Sequence, residues 1–242
     1  MFRLPKHCFL LYNTLQKGSV KMENSYASRI EKVQMSSIRV VMEKVEKLRS
    51  QGKSVVSLCA GEPDFNTPEG IKKATIEALN DNQTHYSSNR GYLGLRKKVA
   101  HLLKKQTTID YDSDTEIIMT CGCSEAINNV CQAFINKDDE VIIFTPAFVS
   151  YQNTVLLCQG IPVEIPLKLS LGFQIDIEEV KNKITKKTKM IILNNPNNPT
   201  GAVYQKETLE QLCKLARENN ILILADEIYN QLDYENQYVS IA

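Results

Sequence analysis

Short apolar runs alternate with amphipathic segments through the second half of the chain. Five runs are typical of strands, at 116–120, 141–145, 161–165, 190–193 and 221–225. Segments with apolar residues at helical spacing lie between them, at 124–136, 147–159, 175–183 and 206–219. Parallel strands need a crossover, which is usually a helix, so this order predicts an α/β fold built from parallel βαβ units.

The first half of the chain has a different pattern. A helix is predicted over residues 28–51, where apolar side chains recur at helical spacing until Gly52 ends the pattern. A short extended run at 55–58 leads into a loop rich in Gly and Pro at 61–68. Two more helices are predicted, one from Pro68 to about Leu79 and one beginning near Gly94.

Charge and cysteine content argue against several classes of function. The 242-residue chain has 29 Lys and Arg against 28 Asp and Glu, which gives no electrostatic reason to expect nucleic acid or a membrane as a partner. No apolar run approaches the ~18 residues that span a bilayer. Seven Cys without a C-x-x-C pair, and only three His, predict no metal site and indicate buried, reduced thiols in a cytoplasmic protein.

Polar residues stand where ligands bind in open α/β sheets, which is beyond the carboxyl ends of the strands. They lie at 122–124, 146–148, 194–201 and 226–229. The segment 194–201 contains four Asn, two Pro and one Gly. A plain turn does not need so many polar and turn-forming residues, so a functional loop is favoured there.

Two of these segments each have two interpretations. Gly122, Cys123 and Ser124 open a predicted helix, so their amides and the Ser124 hydroxyl either bind an anion or form an ordinary helix cap. Taken alone, the helix cap is favoured. Asp226 follows an apolar strand, where a carboxylate must be paired. It either holds a proton on a ring nitrogen of a ligand or forms a structural salt bridge.

Six segments of the sequence, by their order along the chain and their spacing, resemble the class I/II aminotransferases of the aspartate aminotransferase fold. Two are Pro-Asn-Asn-Pro-Thr-Gly at 196–201 and Asp-Glu-Ile-Tyr at 226–229. The resemblance covers roughly residues 26–242 and implies pyridoxal 5′-phosphate (PLP) as cofactor. The other segments are Ala-Gly-Glu-Pro-Asp-Phe at 60–65, Thr-His-Tyr at 84–86 with Gly91 and Leu95-Arg96, Gly-Cys-Ser-Glu-Ala at 122–126, and Pro-Ala-Phe-Val-Ser-Tyr at 146–151.

The resemblance implies a role for each site residue. The amides of Cys123 and Ser124, with the Ser124 hydroxyl, would hold the cofactor phosphate. Asp226 would keep the ring nitrogen protonated, so that the ring can act as an electron sink. Asn198 and Tyr229 would donate to the phenolic oxygen, and Phe148 would stack on the ring. Gly61 would bind the substrate carboxylate, and Asn198 would also contact the substrate. Tyr86 would contact the phosphate in the partner subunit's site. Arg96 is expected to form a structural ion pair instead.

The resemblance also implies a three-layer α/β/α large domain with a mostly parallel sheet. Residues 67–242 are expected to be an incomplete form of this PLP-binding domain, and residues 26–66 an N-terminal segment of the small domain. Residues 1–25 are expected to be a disordered extension. Its first 21 residues contain no acidic side chain, and they are either a dispensable tail or a targeting segment.

The lysine that forms the Schiff base with PLP follows the Asp-Glu-Ile-Tyr segment in the family, whereas residues 230–242 contain no Lys and no Arg. We therefore expect the N-terminal part of a homodimeric cytoplasmic aminotransferase, inactive by itself, that acts on an amino acid and a 2-oxo acid when complete. The strands at 116–120 and 221–225 are then expected to have exposed edges. Two alternatives stay open: a PLP-dependent carbon–sulfur lyase, and a non-catalytic module that binds a phosphorylated ligand or a partner protein.

Overall fold

The structure, a computed structural model, describes residues 27–33, 37–58, 61 and 65–242. The extension predicted at residues 1–25 lies outside the described residues, as does part of the segment 26–66. Within the described ranges, no helix has both the length and the apolar character needed to cross a bilayer.

Three α-helices lie in the first half of the chain: α1 at Ser37–Ser50, α2 at Glu69–Asn80 and α3 at Leu93–Thr107. A 3₁₀ turn at Ser28–Lys32 precedes α1 and ends at Val33, which is extended with φ −82° and ψ 122°. The single helix predicted over 28–51 is therefore wrong. All residues of the turn are exposed, so little buried area stabilises it as a regular helix.

Helix α3 holds the following turn through Arg96, its one buried residue. The Arg96 Nε donates to the Gly91 carbonyl at 3.2 Å, and its guanidinium also donates to the carbonyl of Ser113. The same guanidinium lies 3.6 Å from the Asp114 carboxylate. Arg96 therefore has the structural role that the sequence suggested.

A four-stranded sheet forms the core of the second half. Its strands are β1 at Glu140–Thr145, β2 at Ile161–Pro166, β3 at Thr188–Asn194 and β4 at Leu222–Asp226. Their spatial order is β2-β1-β3-β4, and all three neighbouring pairs are parallel. The central strands β1 and β3 are rich in Ile and other large apolar residues, as expected for strands buried on both faces.

Helices cover both faces of this sheet. Helices α4, at Cys123–Phe134, and α5, at Ser150–Leu157, pack on the face that carries Val141 and Ile143. Helices α6, at Ile177–Lys183, and α7, at Lys206–Glu218, pack on the opposite face, which carries Ile142 and Phe144. Successive side chains of a strand point to opposite faces, so β1 contributes to both cores. The predicted three-layer α/β/α arrangement with a parallel sheet is confirmed.

Residues 116–120 do not form the strand that was predicted for them. Their backbone makes two hydrogen bonds to earlier residues outside any strand, from the Glu116 amide to the Asp112 carbonyl at 2.9 Å and from the Met119 amide to the Arg90 carbonyl at 3.0 Å. Ile117 is buried, whereas Ile118 is 63% exposed. A strand exists only where a neighbouring strand pairs with its backbone. None of the four strands lies beside this segment, so its apolar residues are extended without a ladder.

Strand β4 lies at an edge of the sheet, with β3 as its partner among the described strands. Leu222 and Ala225 of this strand are exposed, in agreement with the expected open edge. Because β1, β3 and β4 run parallel, the residues that follow them meet at the same end of the sheet. These residues are the predicted polar segments.

Candidate functional site

Hydrogen bonds join the ends of β3 and β4. Asn194, the last residue of β3, lies opposite Asp226, the last residue of β4. The Asn194 Nδ2 donates to the Asp226 carbonyl at 2.9 Å, and the Asn195 amide donates to the same carbonyl at 3.1 Å. The loop after β3 and the turn after β4 are thereby held against each other.

Three of the four Asn side chains in the loop after β3 hold its conformation. The Asn194 Oδ1 accepts from the Asn198 amide at 2.7 Å. The Asn195 Oδ1 accepts from the Tyr204 amide at 3.0 Å, and the Asn197 Oδ1 accepts from the Thr200 hydroxyl at 2.7 Å. The side chain of the fourth residue, Asn198, instead leaves the loop.

Asn198 reaches the turn that follows β4. Its Nδ2 donates to the Tyr229 hydroxyl at 3.1 Å, and both residues are partly exposed. An amide and a phenol side by side offer several donors to one ligand oxygen. The structure therefore brings together the two residues that were assigned to the phenolic oxygen.

Asp226 is buried, at 6% exposure, beside neutral partners. The Tyr151 hydroxyl donates to its Oδ2 at 2.6 Å, and the Ile228 amide donates to its Oδ1 at 3.3 Å. Among the described residues, no Lys, Arg or His forms an ion pair with it. The structural salt bridge considered for Asp226 is therefore absent from this part of the chain, and its carboxylate lacks a cation.

A tyrosine and a thiol lie next to this carboxylate, and a second aromatic ring packs on the tyrosine. The rings of Phe148 and Tyr151 meet edge to face, with centroids 5.6 Å apart and planes at 79°. Phe148 and Cys123 are partly buried against the same core cluster. Burial raises the pKa of Cys123 to about 11, and the nearby Asp226 carboxylate adds to this shift. Burial, followed by the hydrogen bond to Asp226, raises the pKa of Tyr151 above its usual range.

The first residues of α4 form the remaining part of the candidate site. Gly122 turns into the helix with φ 86°, a conformation that favours glycine. Ser124 is exposed on the first turn, and the first amides of a helix have no acceptor within that helix. The Glu125 carboxylate accepts from the Cys121 amide at 2.5 Å, which fixes the chain that enters the turn.

The described contacts do not connect Gly61 or Tyr86 with this end of the sheet. Both residues are exposed, and no described hydrogen bond or core contact joins either of them to Asp226, Asn198 or Tyr229. Their assigned roles, in substrate binding and across a subunit boundary, stay predictions.

Tyr151 and Asn194 are site residues to which sequence reasoning gave no role. Tyr151 belongs to a segment quoted for the resemblance, and its ring contacts that of Phe148, which lies three residues earlier and just before α5. The need of a buried carboxylate for a donor was the available signal. Asn194 lies two residues before the motif at 196–201, and its position at the end of a predicted strand was the only signal.

The comparisons with known proteins agree with this geometry. The family model for aminotransferase class I and II matches residues 53–242. A probable aspartate/prephenate aminotransferase of Aquifex aeolicus is 38% identical over 213 residues, which are 88% of this chain and 54% of that protein. An aspartate aminotransferase of Bacillus sp. is 39% identical and covers 91% of this chain and 56% of its own length.

Solved structures show the same relationship. The aspartate aminotransferase from Thermus thermophilus with maleate has a TM-score of 0.86 at 38% identity, over 90% of this chain and 57% of that one. The fold is thus that of the aspartate aminotransferases, a class of PLP-dependent α/β transferases. The chain belongs to the class I and II aminotransferase family. It spans a little more than half the length of the relatives it matches.

Proposed function

We propose that this chain carries the cofactor-binding part of a PLP-dependent aminotransferase that transfers an amino group between an amino acid and a 2-oxo acid. The observation that carries the proposal is Asp226, a buried carboxylate without a cation among the described residues. A buried charge is costly unless it is paired. A protonated ring nitrogen is the cation that fits this position.

The donor set around Asp226 also fits PLP. Asn198 and Tyr229 lie side by side, 3.1 Å apart, on the walls formed after β3 and β4. Phe148 offers an aromatic ring next to Tyr151, the residue that donates to Asp226. The exposed first turn of α4, with Ser124, is suited to a phosphate because amides and the positive end of the helix dipole point outward there. An acid, two oxygen donors, a stacking ring and an anion site match the functional groups of this cofactor.

Each residue has a defined task in this proposal. Asp226 holds a proton on the ring nitrogen, and Tyr151 keeps the carboxylate in place by donating to its Oδ2 at 2.6 Å. Asn198 and Tyr229 donate to the phenolic oxygen, Phe148 covers one ring face and excludes water, and Ser124 binds the phosphate with the amides of α4. PLP supplies an electron sink when it is bound there.

The whole-protein properties follow from the family and are part of the proposal. Several relatives are named aspartate aminotransferases, so aspartate is the first amino acid to test. We propose a cytoplasmic homodimer in which Tyr86 reaches the partner subunit's phosphate site and Gly61 approaches the substrate carboxylate. Residues 26–66 would belong to the small domain and residues 67–242 to the large domain.

The variant Ser124→Asp tests the phosphate site. A carboxylate at this exposed position repels a phosphate dianion, so affinity for PLP falls by at least about tenfold in a fluorescence titration. Ser170→Asp is the matched control, since it adds the same charge at an exposed position away from the ends of β1, β3 and β4. Equal PLP affinities for the wild type, Ser124→Asp and Ser170→Asp proteins would rule out this phosphate site.

A further inference from the structure

Glu227 fastens a segment at residues 239–241, which we term the clasp. The Ser240 hydroxyl lies 2.9 and 3.0 Å from the two carboxylate oxygens of Glu227, and the Ile241 amide donates to Oε1 at 3.1 Å. Hydrogen bonds to a charged acceptor are among the stronger ones in proteins. Glu227 directly follows Asp226, so the clasp is attached next to the proposed ring-nitrogen partner.

The clasp has a second attachment, on the loop after β3. The Val239 carbonyl accepts from the Asn195 Nδ2 at 3.4 Å. The Asn195 Oδ1 accepts from the Tyr204 amide at 3.0 Å, and the Asn195 amide donates to the Asp226 carbonyl at 3.1 Å. Asn195 therefore connects the clasp to Tyr204 and to Asp226. Asn195 and Tyr204 are the two ends of the segment 195–204, which contains Asn198.

The clasp also contacts helix α7 and the core cluster beside it. The side chain of Ile241 packs against the core cluster between the sheet and helices α6 and α7. The Cys213 thiol of α7 lies 3.9 Å from the Ile241 carbonyl. With one side fixed on α7, the clasp can hold the loop after β3 and the turn after β4 in a constant relation.

We propose that Glu227 is a positioning residue of the cofactor site. Through the clasp it sets the separation between Asn198, on the loop after β3, and Tyr229, on the turn after β4. It acts on the donors to the phenolic oxygen and touches neither the cofactor nor the substrate. This inference rests on the proposed function, since it assigns to the 3.1 Å Asn198–Tyr229 pair the task of binding that oxygen.

The experiment compares Glu227→Ala with two controls in the full chain. Glu235→Gln changes an exposed carboxylate shortly before the clasp, which accepts from the Gln237 side chain. Val180→Ala removes buried volume in α6 and leaves every hydrogen bond of the clasp in place, so it supplies a variant that is destabilised without a change at Glu227. Glu227→Gln keeps the shape and one acceptor oxygen, so it should restore part of whatever Glu227→Ala loses.

Amide hydrogen exchange gives the first measurement, and it needs no ligand. In Glu227→Ala, exchange at residues 195–204 should accelerate about tenfold, because the side-chain attachment of Asn195 to the clasp is released. Exchange in α6 should stay as in the wild type. In Val180→Ala the acceleration should centre on α6 and the sheet. Unchanged exchange at 195–204 in Glu227→Ala would overturn the proposal.

Binding gives the second measurement, with PLP and with 3-deoxypyridoxal 5′-phosphate, which lacks the phenolic oxygen. Glu227→Ala should bind PLP about fivefold to tenfold more weakly than the wild type and bind the deoxy analogue equally well. Equal losses for both ligands would show a merely structural role and overturn the inference. If the wild-type chain binds neither ligand, the proposed function fails, and the exchange measurement alone then decides whether Glu227 positions the loop.

Discussion

At the scale of single residues, Asp226 is held by a tyrosine hydroxyl and a backbone amide, at 2.6 and 3.3 Å. Tyr151 donates from α5, and Ile228 donates from the turn after β4. These neutral donors orient a carboxylate without neutralising it. A residue placed in this way is suited to bind a cation that arrives with a ligand.

The variant Asp226→Asn separates binding from stability. It removes the negative charge and keeps an acceptor oxygen, so we expect PLP affinity to fall at least tenfold, because the ring nitrogen loses its charged partner. The free energy of unfolding should fall by about 1–3 kcal/mol, since the amide can accept only one of the two hydrogen bonds that the carboxylate accepts from Tyr151 and Ile228. Titration with PLP and urea denaturation measure the two effects. A large loss of stability with unchanged affinity would favour a structural role for Asp226.

The sequence predicted the separate segments of the site but not the contacts between them. The resemblance pointed to Asp226, Asn198, Tyr229 and Phe148, and the structure brings these residues to one end of the sheet. Tyr151 received no role because its contact with Asp226 spans 75 residues. A contact of that length depends on strand order, and spacing along the chain does not contain it.

At the scale of elements, α4 carries two thiols with raised pKa values. Burial raises the pKa of Cys131 to about 11, as it does for Cys123. An unfolded thiol ionises near pH 8.5–9. Between these values the unfolded chain loses protons that the folded chain keeps, so stability falls as the pH rises from about 9 to 11.

The variant Cys131→Ala tests this pH dependence. Cys131 is fully buried and should account for about 2 kcal/mol of the stability that the wild type loses between pH 8 and pH 10.5. Cys131→Ala should therefore be less stable than the wild type at pH 8 and nearly equal to it at pH 10.5 in urea denaturation. Ile127→Val, on the same helix, should cost about 1 kcal/mol at both pH values. Parallel curves for all three proteins would contradict the assignment.

The edge strand β4 permits a second prediction at this scale. Leu222 is 38% exposed on a strand whose described partner is β3 alone. Open apolar edges promote pairing between chains, and a lysine on such an edge opposes it. Leu222→Lys should therefore reduce the light scattering of the chain at elevated concentration. The control is Leu169→Lys, which removes a more exposed leucine that is not in a strand. Equal effects of the two variants would argue against pairing through β4.

The strands show why some apolar runs of a sequence form the predicted strand and others do not. Runs such as 190–193 were predicted within a few residues of the observed Thr188–Asn194, because a buried parallel strand is apolar along its whole length. The run 116–120 has a similar composition but lacks a neighbour among the described strands. Composition indicates that a segment can form a strand, whereas pairing decides whether it does.

At the scale of the whole molecule, burial is uneven. Among the described residues up to 118, only Arg96 and Ile117 are buried. Val56, Leu58 and Phe65 are exposed by 87%, 93% and 71%. The second half contains both core clusters and all four strands. The part that carries the proposed site is thus packed around its own core. The first half has exposed apolar side chains, which a second subunit would cover in the proposed homodimer.

The last prediction concerns the 242-residue polypeptide expressed by itself. Residues 230–242 contain no lysine, and no lysine elsewhere was assigned to covalent attachment of PLP. We therefore expect PLP to bind through Asp226, Asn198, Tyr229 and Ser124 without a specific covalent bond to the chain. Because a positioned base contributes ~10²–10⁴-fold to proton transfer, the polypeptide should also release no 2-oxo acid from aspartate at an enzymic rate.

Borohydride reduction followed by peptide mapping tests this expectation. It should give PLP spread at low occupancy over surface lysines such as Lys73 and Lys214, whose side chains are 77% exposed. Reduction of the Ser124→Asp variant should give the same pattern, since random attachment does not depend on the phosphate site. One stoichiometric phosphopyridoxyl-lysine, lost in that variant and accompanied by steady release of 2-oxo acid, would instead place the catalytic lysine within these 242 residues.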